Sequence, residues 1–173
     1  MNQPELWLRG PLANVPALLQ PTAHALLQAC LDAETSLPDF PDALLWERPA
    51  GLASVGFHLQ HMAGVQDRML TYAQQLPLSD NQFAFLRQEG TPTDTLSTVT
   101  DLLTQLRTQT ERTVMYLTQV DPDTLPDYRP VGRAGLPSTV GGLLFHAAEH
   151  SMRHVGQLLV TARMLVDINR ALA

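Results

Sequence analysis

The sequence predicts an all-α protein, a four-helix bundle with long connecting loops. Proline and glycine cluster at residues 4–21, 38–51, 76–92 and 121–142, and long segments free of helix breakers separate these clusters. The segments carry apolar residues at helical spacing, and we find no strand-like alternation long enough to build a sheet. With 173 residues and 45% hydrophobic content, the chain can bury one sizeable core, so we expect a single domain over residues 1–173.

The first helix is predicted to begin at about Pro16 or Pro21 and to end at Ser36. Proline is tolerated in the first turn of a helix, where its missing N–H has no partner to lose. Apolar residues recur at the spacing of one helical face, and these residues are Ala23, Leu26, Leu27, Cys30 and Leu31. Cys30 is the single cysteine, so an internal disulfide and a cysteine-based zinc site are excluded, and we interpret it as a core residue.

The second helix is predicted from about Leu52 to Gln74. Ser54 precedes its apolar stripe and is a candidate N-cap. Gly56 and Gly64 lower the helix propensity of this segment, but they allow a neighbouring helix to approach closely.

The last two predicted helices follow the remaining breaker clusters. The third runs from about Asp94 to Val120 and ends at a DPD motif, which does not favour continued helix. The fourth opens after an LPST motif, where Ser138 or Thr139 can cap the first turn, and it continues to about Asn169.

The charge balance and the hydropathy pattern limit the classes of partner. The chain has 17 acidic residues against 11 basic ones, all arginine, and a formal net charge of −6. This balance disfavours a nucleic-acid surface or an anionic membrane as partner. No apolar stretch approaches the roughly 18 to 20 residues of a membrane span, and the first residues lack the apolar region of a signal peptide. We therefore expect a soluble, cytoplasmic protein.

Histidine is the residue type that points to chemistry. Five of the six histidines fall on two predicted helices, and three of them are spaced four residues apart. Residues four apart lie about 6 Å from each other on one helical face, so neighbours in this series can share one ion. One histidine from a facing helix completes three nitrogen ligands and leaves positions open for water or substrate, as in catalytic metal sites. The five are His58 and His61 on the second helix and His146, His150 and His154 on the fourth; His24 stands alone.

A second motif overlaps the histidine series. Residues His146 to His150 spell HxxEH, in which Glu149 would act as the general base of an inverted metallopeptidase. Such enzymes need a further acidic ligand well downstream of the motif. Asp167 is the one acidic residue after His150, so the sequence disfavours a peptidase.

Two segments resemble the DinB-like (DinB/YfiT) superfamily of metalloenzymes. They are SVGFHLQHMAG on the second predicted helix and LPSTVGGLLFHAAEHSMRHVGQLL on the fourth, and the similarity covers most of the chain. The resemblance implies a four-helix bundle with a three-histidine site, made by one histidine of the second helix and an HxxxH pair of the fourth. By motif, these ligands are His61, His150 and His154, while His58 and His146 are outer-shell or alternative positions.

The last motif departs from the family pattern. It is usually HRGQ, whereas this chain reads HVGQ from His154 to Gln157. The ligands survive this change, but a role of the family's arginine in binding an anionic group does not carry over. Arg153 leaves the helix in another direction and is not expected to replace it. Gly156 is explained by close helix packing.

The resemblance also implies a chemistry. Related members include thiol S-transferases that use low-molecular-weight thiols such as bacillithiol or mycothiol, and a mycothiol-dependent maleylpyruvate isomerase. We therefore predict a divalent-metal enzyme, zinc first and nickel second, that transfers a thiol to a small electrophilic substrate. A metal-dependent hydrolase and a non-enzymatic bundle that binds metal or a small ligand are the alternatives. The family also often forms homodimers, which we expect here.

No catalytic base can be named from the sequence. Glu149 either orients His146 or a histidine of the facing helix, or is a surface or interhelical carboxylate. Gln157 either faces the site or packs as a buried amide. Asp67 and Arg68 are interpreted as solvated or interhelical charges.

Overall fold

Four long helices form a bundle in the computed structural model, which describes residues 3–172. α1 and α2 each pack against both α4 and α5, while a short helix, α3, contacts α2. This architecture confirms the predicted all-α fold. Within the described residues, no helix is both long enough and apolar enough to cross a membrane. The helices are α1 (Gln20–Ser36), α2 (Val55–Ala73), α3 (Asp80–Gln88), α4 (Val99–Leu117) and α5 (Val140–Leu172).

Side-chain caps explain where α2 and α5 begin, and a proline lies in the first turn of α1. Ser54 Oγ accepts a hydrogen bond from the Phe57 N–H (3.1 Å), which confirms the predicted cap of α2. Thr139 Oγ1 accepts from the Gly142 N–H (3.0 Å), so Thr139 caps α5. Pro21 occupies the first turn of α1 without interrupting it.

Helix α4 begins later than the sequence predicts. Thr98, rather than Asp94, is its N-cap, because Thr98 and Asp101 form a capping box in which each side chain accepts from the other's backbone N–H, both at 3.1 Å. The helix ends at Leu117, close to the predicted DPD motif.

The buried apolar side chains form two clusters, one towards each end of the bundle. A polar layer lies between them on α2, α4 and α5, and its four residues are at most 1% exposed. Gln66 Nε2 donates to Thr110 Oγ1 (3.3 Å) and Ser151 Oγ (3.4 Å), and Thr113 Oγ1 donates to Gln66 Oε1 (3.2 Å). Because these groups find partners across helices, the layer helps to set the register of the bundle.

Helix α3 was not predicted from the sequence. Residues 76–92 have proline near one end and glycine and proline at the other, and they were expected to be a connecting loop. A capping box between Ser79 and Gln82 starts the helix, but none of its residues is buried. With only nine residues, it is too short to repeat an apolar stripe over several turns, which is the pattern that indicates a helix.

A two-stranded antiparallel hairpin, β1 (Tyr128–Val131) and β2 (Leu136–Thr139), lies between α4 and α5. The expectation of no sheet was wrong at this point. Each strand has only four residues, and two prolines face each other across the pair, so the pattern typical of strands is missing. The hairpin covers the end of α2, where Arg129 Nε donates to the Ala73 carbonyl (2.9 Å).

Candidate metal centre

Four histidine rings from α2 and α5 meet between these two helices. Nε2 of His61 lies 2.9 Å from Nε2 of His150, and Nδ1 of His58 lies 2.9 Å from Nδ1 of His154. One ring nitrogen from each of His61, His150 and His154 lies within 4.8 Å of the other two. The fold therefore brings together the three residues that the sequence assigned to a metal.

Burial keeps three of these rings neutral. Burial is the largest cause, and the neighbouring His61 ring is the next; together they lower the pKa of His58 and of His150 to about 4 and that of His154 to about 3. A neutral imidazole carries a lone pair on one of its nitrogens, which is the form that binds a metal.

The hydrogen-bond partners leave nitrogen lone pairs inside the cluster. The Glu89 carboxylate accepts from the Nδ1–H of His61 (2.5 Å), so a neutral His61 has its lone pair on Nε2. Nδ1 of His150 is buried and has no hydrogen-bond partner among residues 3–172. In both tautomers of His150, Nδ1 therefore lacks a hydrogen-bond partner. When the proton is on Nδ1, the lone pair of Nε2 also faces the lone pair of His61 Nε2. The residues present fit a divalent cation, which binds imidazole nitrogens at about 2.0 to 2.1 Å.

Glu89 and Arg68 are residues of this site that the sequence did not reveal. Arg68 Nη1 lies 2.7 Å from Glu89 Oε1, and both side chains are less than a tenth exposed. Of the two predicted roles of Arg68, the solvated charge is wrong, while the interhelical one holds, because Arg68 of α2 pairs with the residue that caps the end of α3. Arg68 follows His61 by seven residues, two helical turns on the same face, and an arginine there indicates an acidic partner. Its partner lies in a loop after α3, for which periodicity carries no signal.

The third histidine of the fourth helix lies at the edge of the cluster. His146 Nδ1 is 2.9 Å from Glu149 Oε1, and Glu149 also pairs with Arg153. Glu149 thus contacts His146, one of its two predicted roles. His146, Glu149 and His150 form a second group whose possible ligand atoms lie within 4.8 Å of one another. In this group, however, both carboxylate oxygens of Glu149 already accept hydrogen bonds from the Arg153 guanidinium.

Three other residues singled out from the sequence lie outside the cluster. His24 Nε2 is 3.1 Å from the Gly10 carbonyl oxygen on the other side of α1. Cys30 is 7% exposed and belongs to one of the two apolar clusters, as predicted. Asp67 contacts Arg112 of α4 (3.3 Å) and is an interhelical charge.

A groove of about 570 Å³ lies beside His58. Its lining includes Leu52, Arg153, Gly156 and Gln157, so Gln157 is exposed and not a buried packing amide. A Cβ atom placed on Gly156 would meet nothing within 4 Å, so close helix packing does not explain this glycine either. Its backbone instead forms part of the groove surface.

The fold and the site define a class of protein, an α-helical bundle whose partly buried histidine cluster could hold a divalent metal. The chain belongs to the DinB superfamily, whose family model matches residues 22–158. This match confirms the resemblance seen in the two histidine segments.

The fold is also similar to a solved structure. The crystal structure of a conserved protein from Enterococcus faecalis superposes with a TM-score of 0.68 at 22% sequence identity, covering 86% of this chain and 97% of that one. At this identity the similarity shows the fold alone. No curated protein matches the chain.

Proposed function

We propose that this protein is a metal-dependent transferase that joins a low-molecular-weight thiol to a small electrophilic substrate. His61, His150 and His154 hold the divalent ion, zinc first and nickel as the alternative. The observation that carries the proposal is the convergence of three imidazole nitrogens from two helices within 4.8 Å.

The protein's own residues prepare this site for a cation. Burial lowers the pKa of His150 to about 4 and that of His154 to about 3, so both lone pairs are available at neutral pH. All three proposed ligands are neutral groups that add no negative charge. A divalent ion held by three such groups keeps its full charge and, when bound, lowers the pKa of a thiol or a water molecule beside it.

The carboxylates around the cluster favour a thiol over water as the nucleophile. Hydrolysis benefits from a group that accepts a proton from water. Glu89 is committed to His61 and Arg68, and Glu149 is committed to His146 and Arg153. A thiol ionises with a pKa of about 8.5, against 15.7 for water, so it depends less on a free base.

The groove beside His58 supports a small-molecule substrate. Its volume of about 570 Å³ lies within the range of about 300 to 1,000 Å³ typical of ligand pockets. The apolar side chains of Leu52 and Val160 and the polar ends of Arg153 and Gln157 give it both kinds of contact. His58 joins this groove to the cluster, because its ring also contacts His154.

A homodimer belongs to the same proposal. Several apolar side chains on α5 are exposed, and a second copy of the chain would remove them from water. They are Phe145 (63% exposed), Ile168 (47%) and Met164 (41%). Sedimentation of the wild-type protein beside Phe145→Glu tests this point, with the expected result that the charged variant is monomeric and the wild type is not.

The function is tested in two stages on untagged protein. Elemental analysis is expected to find about one ion per chain in the wild type and none in His150→Ala. The metal-loaded protein is then incubated with 1-chloro-2,4-dinitrobenzene and a panel of small thiols, including cysteine, coenzyme A and glutathione. Thiol-dependent conjugation that the His150→Ala variant lacks supports the transferase.

Two other results would contradict the proposed transferase. Turnover of p-nitrophenyl acetate without any thiol, lost in His150→Ala, would replace the transferase by a hydrolase. Metal binding without turnover of either substrate class would favour a bundle that only binds metal or a small ligand.

A further inference from the structure

Glu89 is a buried carboxylate with one partner on each of its two oxygens. Its side chain is 5% exposed; Oε2 lies 2.5 Å from Nδ1 of His61, and Oε1 lies 2.7 Å from Nη1 of Arg68. Burial of a charge is unfavourable unless the charge is paired and hydrogen-bonded, as it is here through both oxygens. We propose that Glu89 is the positioning residue that orients His61 towards the metal, an inference that rests on the proposed metal centre.

The contact determines which nitrogen of His61 is free. A carboxylate only accepts hydrogen bonds, so its contact with Nδ1 holds the ring proton on that atom. The lone pair is then on Nε2, the nitrogen that faces His150 at 2.9 Å. A carboxylate behind the ring also raises the basicity of the ligating nitrogen. Phe57 holds the plane of the ring, because the two rings stack at 5.0 Å and 14°.

Helix α2 itself holds Glu89 in place. Besides Arg68, Gln60 fixes the turn that follows Glu89: its Oε1 accepts from the Gly90 N–H (2.7 Å), and its Nε2 donates to the Thr91 carbonyl (3.0 Å). Gly90 has φ +90°, a conformation that a residue with a side chain rarely adopts. These contacts hold the turn after Glu89 against α2, so the Glu89 carboxylate lies next to the helix that carries His61.

A glycine of α2 leaves room for the pair. A Cβ atom on Gly64 would lie 2.5 Å from Glu89 Oε1 and 2.7 Å from Arg68 Nη1. Glycine in a helix interior lowers stability relative to alanine, so its presence here is explained by the space that the ion pair needs.

The alternative role for Glu89 is structural, an ion pair that only anchors the turn to α2. The two roles differ in the tautomer of His61 and in metal affinity. Glu89→Gln keeps the size of the side chain but removes its charge, and its amide can either accept from or donate to the ring. A purely structural residue would change the stability of the protein without changing the tautomer or the affinity.

The experiment measures Zn²⁺ affinity by competition with a chromophoric chelator for wild type, Glu89→Gln and Glu149→Gln. We expect Glu89→Gln to bind Zn²⁺ about 10- to 100-fold more weakly. Glu149→Gln is the matched control, since it removes a carboxylate that contacts His146, and we expect it to bind as the wild type does. Equal affinity of wild type and Glu89→Gln overturns the inference.

A second measurement needs no variant. Long-range ¹H–¹⁵N correlation spectra of the metal-free wild type report the tautomer of each histidine, and we expect His61 to carry its proton on Nδ1. A proton on Nε2 overturns the inference even if Glu89→Gln does not fold. A wild-type protein that binds no Zn²⁺, or a His61→Ala variant that binds it unchanged, overturns the proposed metal centre and the role of Glu89 with it.

Discussion

His58 and His154 are 96 positions apart in the chain, yet their Nδ1 atoms lie 2.9 Å apart. One of the two nitrogens must donate to the other. When His154 Nδ1 is the donor, the lone pair of His154 is on Nε2, and it is not used in the contact with His58. His58 is 3% exposed and contacts a proposed ligand without belonging to the ligand set, which matches its outer position in the sequence motif.

This arrangement predicts a graded loss of metal across the histidines. His61→Ala, His150→Ala and His154→Ala are each expected to abolish stoichiometric metal, because each removes one of three ligands. His58→Ala removes only a contact to a ligand and should weaken binding less. Elemental analysis of dialysed protein measures the difference.

His146→Ala is the matched control, since His146 lies one turn before His150 on α5 and its side chain is 44% exposed. It should keep most of the metal. Full metal content after loss of any of the three proposed ligands would contradict the assignment.

The low pKa values predict how the stability of the metal-free protein depends on pH. The pKa of His150 is about 4 in the folded protein, against 6.5 for an unperturbed histidine. Between these two values the unfolded chain binds more protons than the folded one, so the free energy of unfolding decreases as the pH falls. We expect the Tm of the metal-free protein to fall between pH 7 and pH 5.

The variant His150→Gln has no such group at this position, so its Tm should fall less steeply over the same interval. Thermal unfolding in chelator-treated buffer at three pH values provides the comparison. Parallel slopes for the two proteins would show that the His150 ring does not contribute.

Two helical glycines should respond in opposite ways to alanine. Gly64→Ala places a Cβ atom within 3 Å of the Glu89 and Arg68 side chains and is expected to destabilise the protein by about 1 to 3 kcal/mol. Gly156→Ala adds its methyl group where nothing lies within 4 Å, and helix propensity should stabilise the protein by up to about 1 kcal/mol. Urea unfolding of both variants tests the pair. Equal effects would mean that the space around Gly64 is not required.

Cys30 should be unreactive in the folded protein. Burial raises the pKa of its thiol to about 12, so almost none is thiolate at pH 8. We expect slow labelling by Ellman's reagent in buffer and rapid labelling in denaturant. Cys30→Ala should keep the thiol-transfer activity, and loss of that activity with an intact fold would assign the residue a chemical role that its position in the core does not suggest.

Local sequence patterns were sufficient for the helices that carry the histidines. Ser54 caps α2 through a contact three residues away, and the spacing of His150 and His154 places both on one face of a single helix. Such features depend on neighbours within one or two turns, so they can be recognised without knowledge of the fold. Helix α3 has such a cap, but it is only nine residues long and none of its residues is buried. The strands of the hairpin have four residues each, too few to show an alternating pattern.

The sequence by itself determined the α-helical class, the family and the three histidines proposed as ligands, since all of these depend on motifs within continuous segments. Only the tertiary structure decided that Glu89 lies against His61, that Arg68 is buried beside it, and that His58 contacts His154. These contacts join groups 21 to 96 positions apart. Which of them form depends on the order in which the helices pack and on the path of the loop after α3, and no local periodicity encodes either.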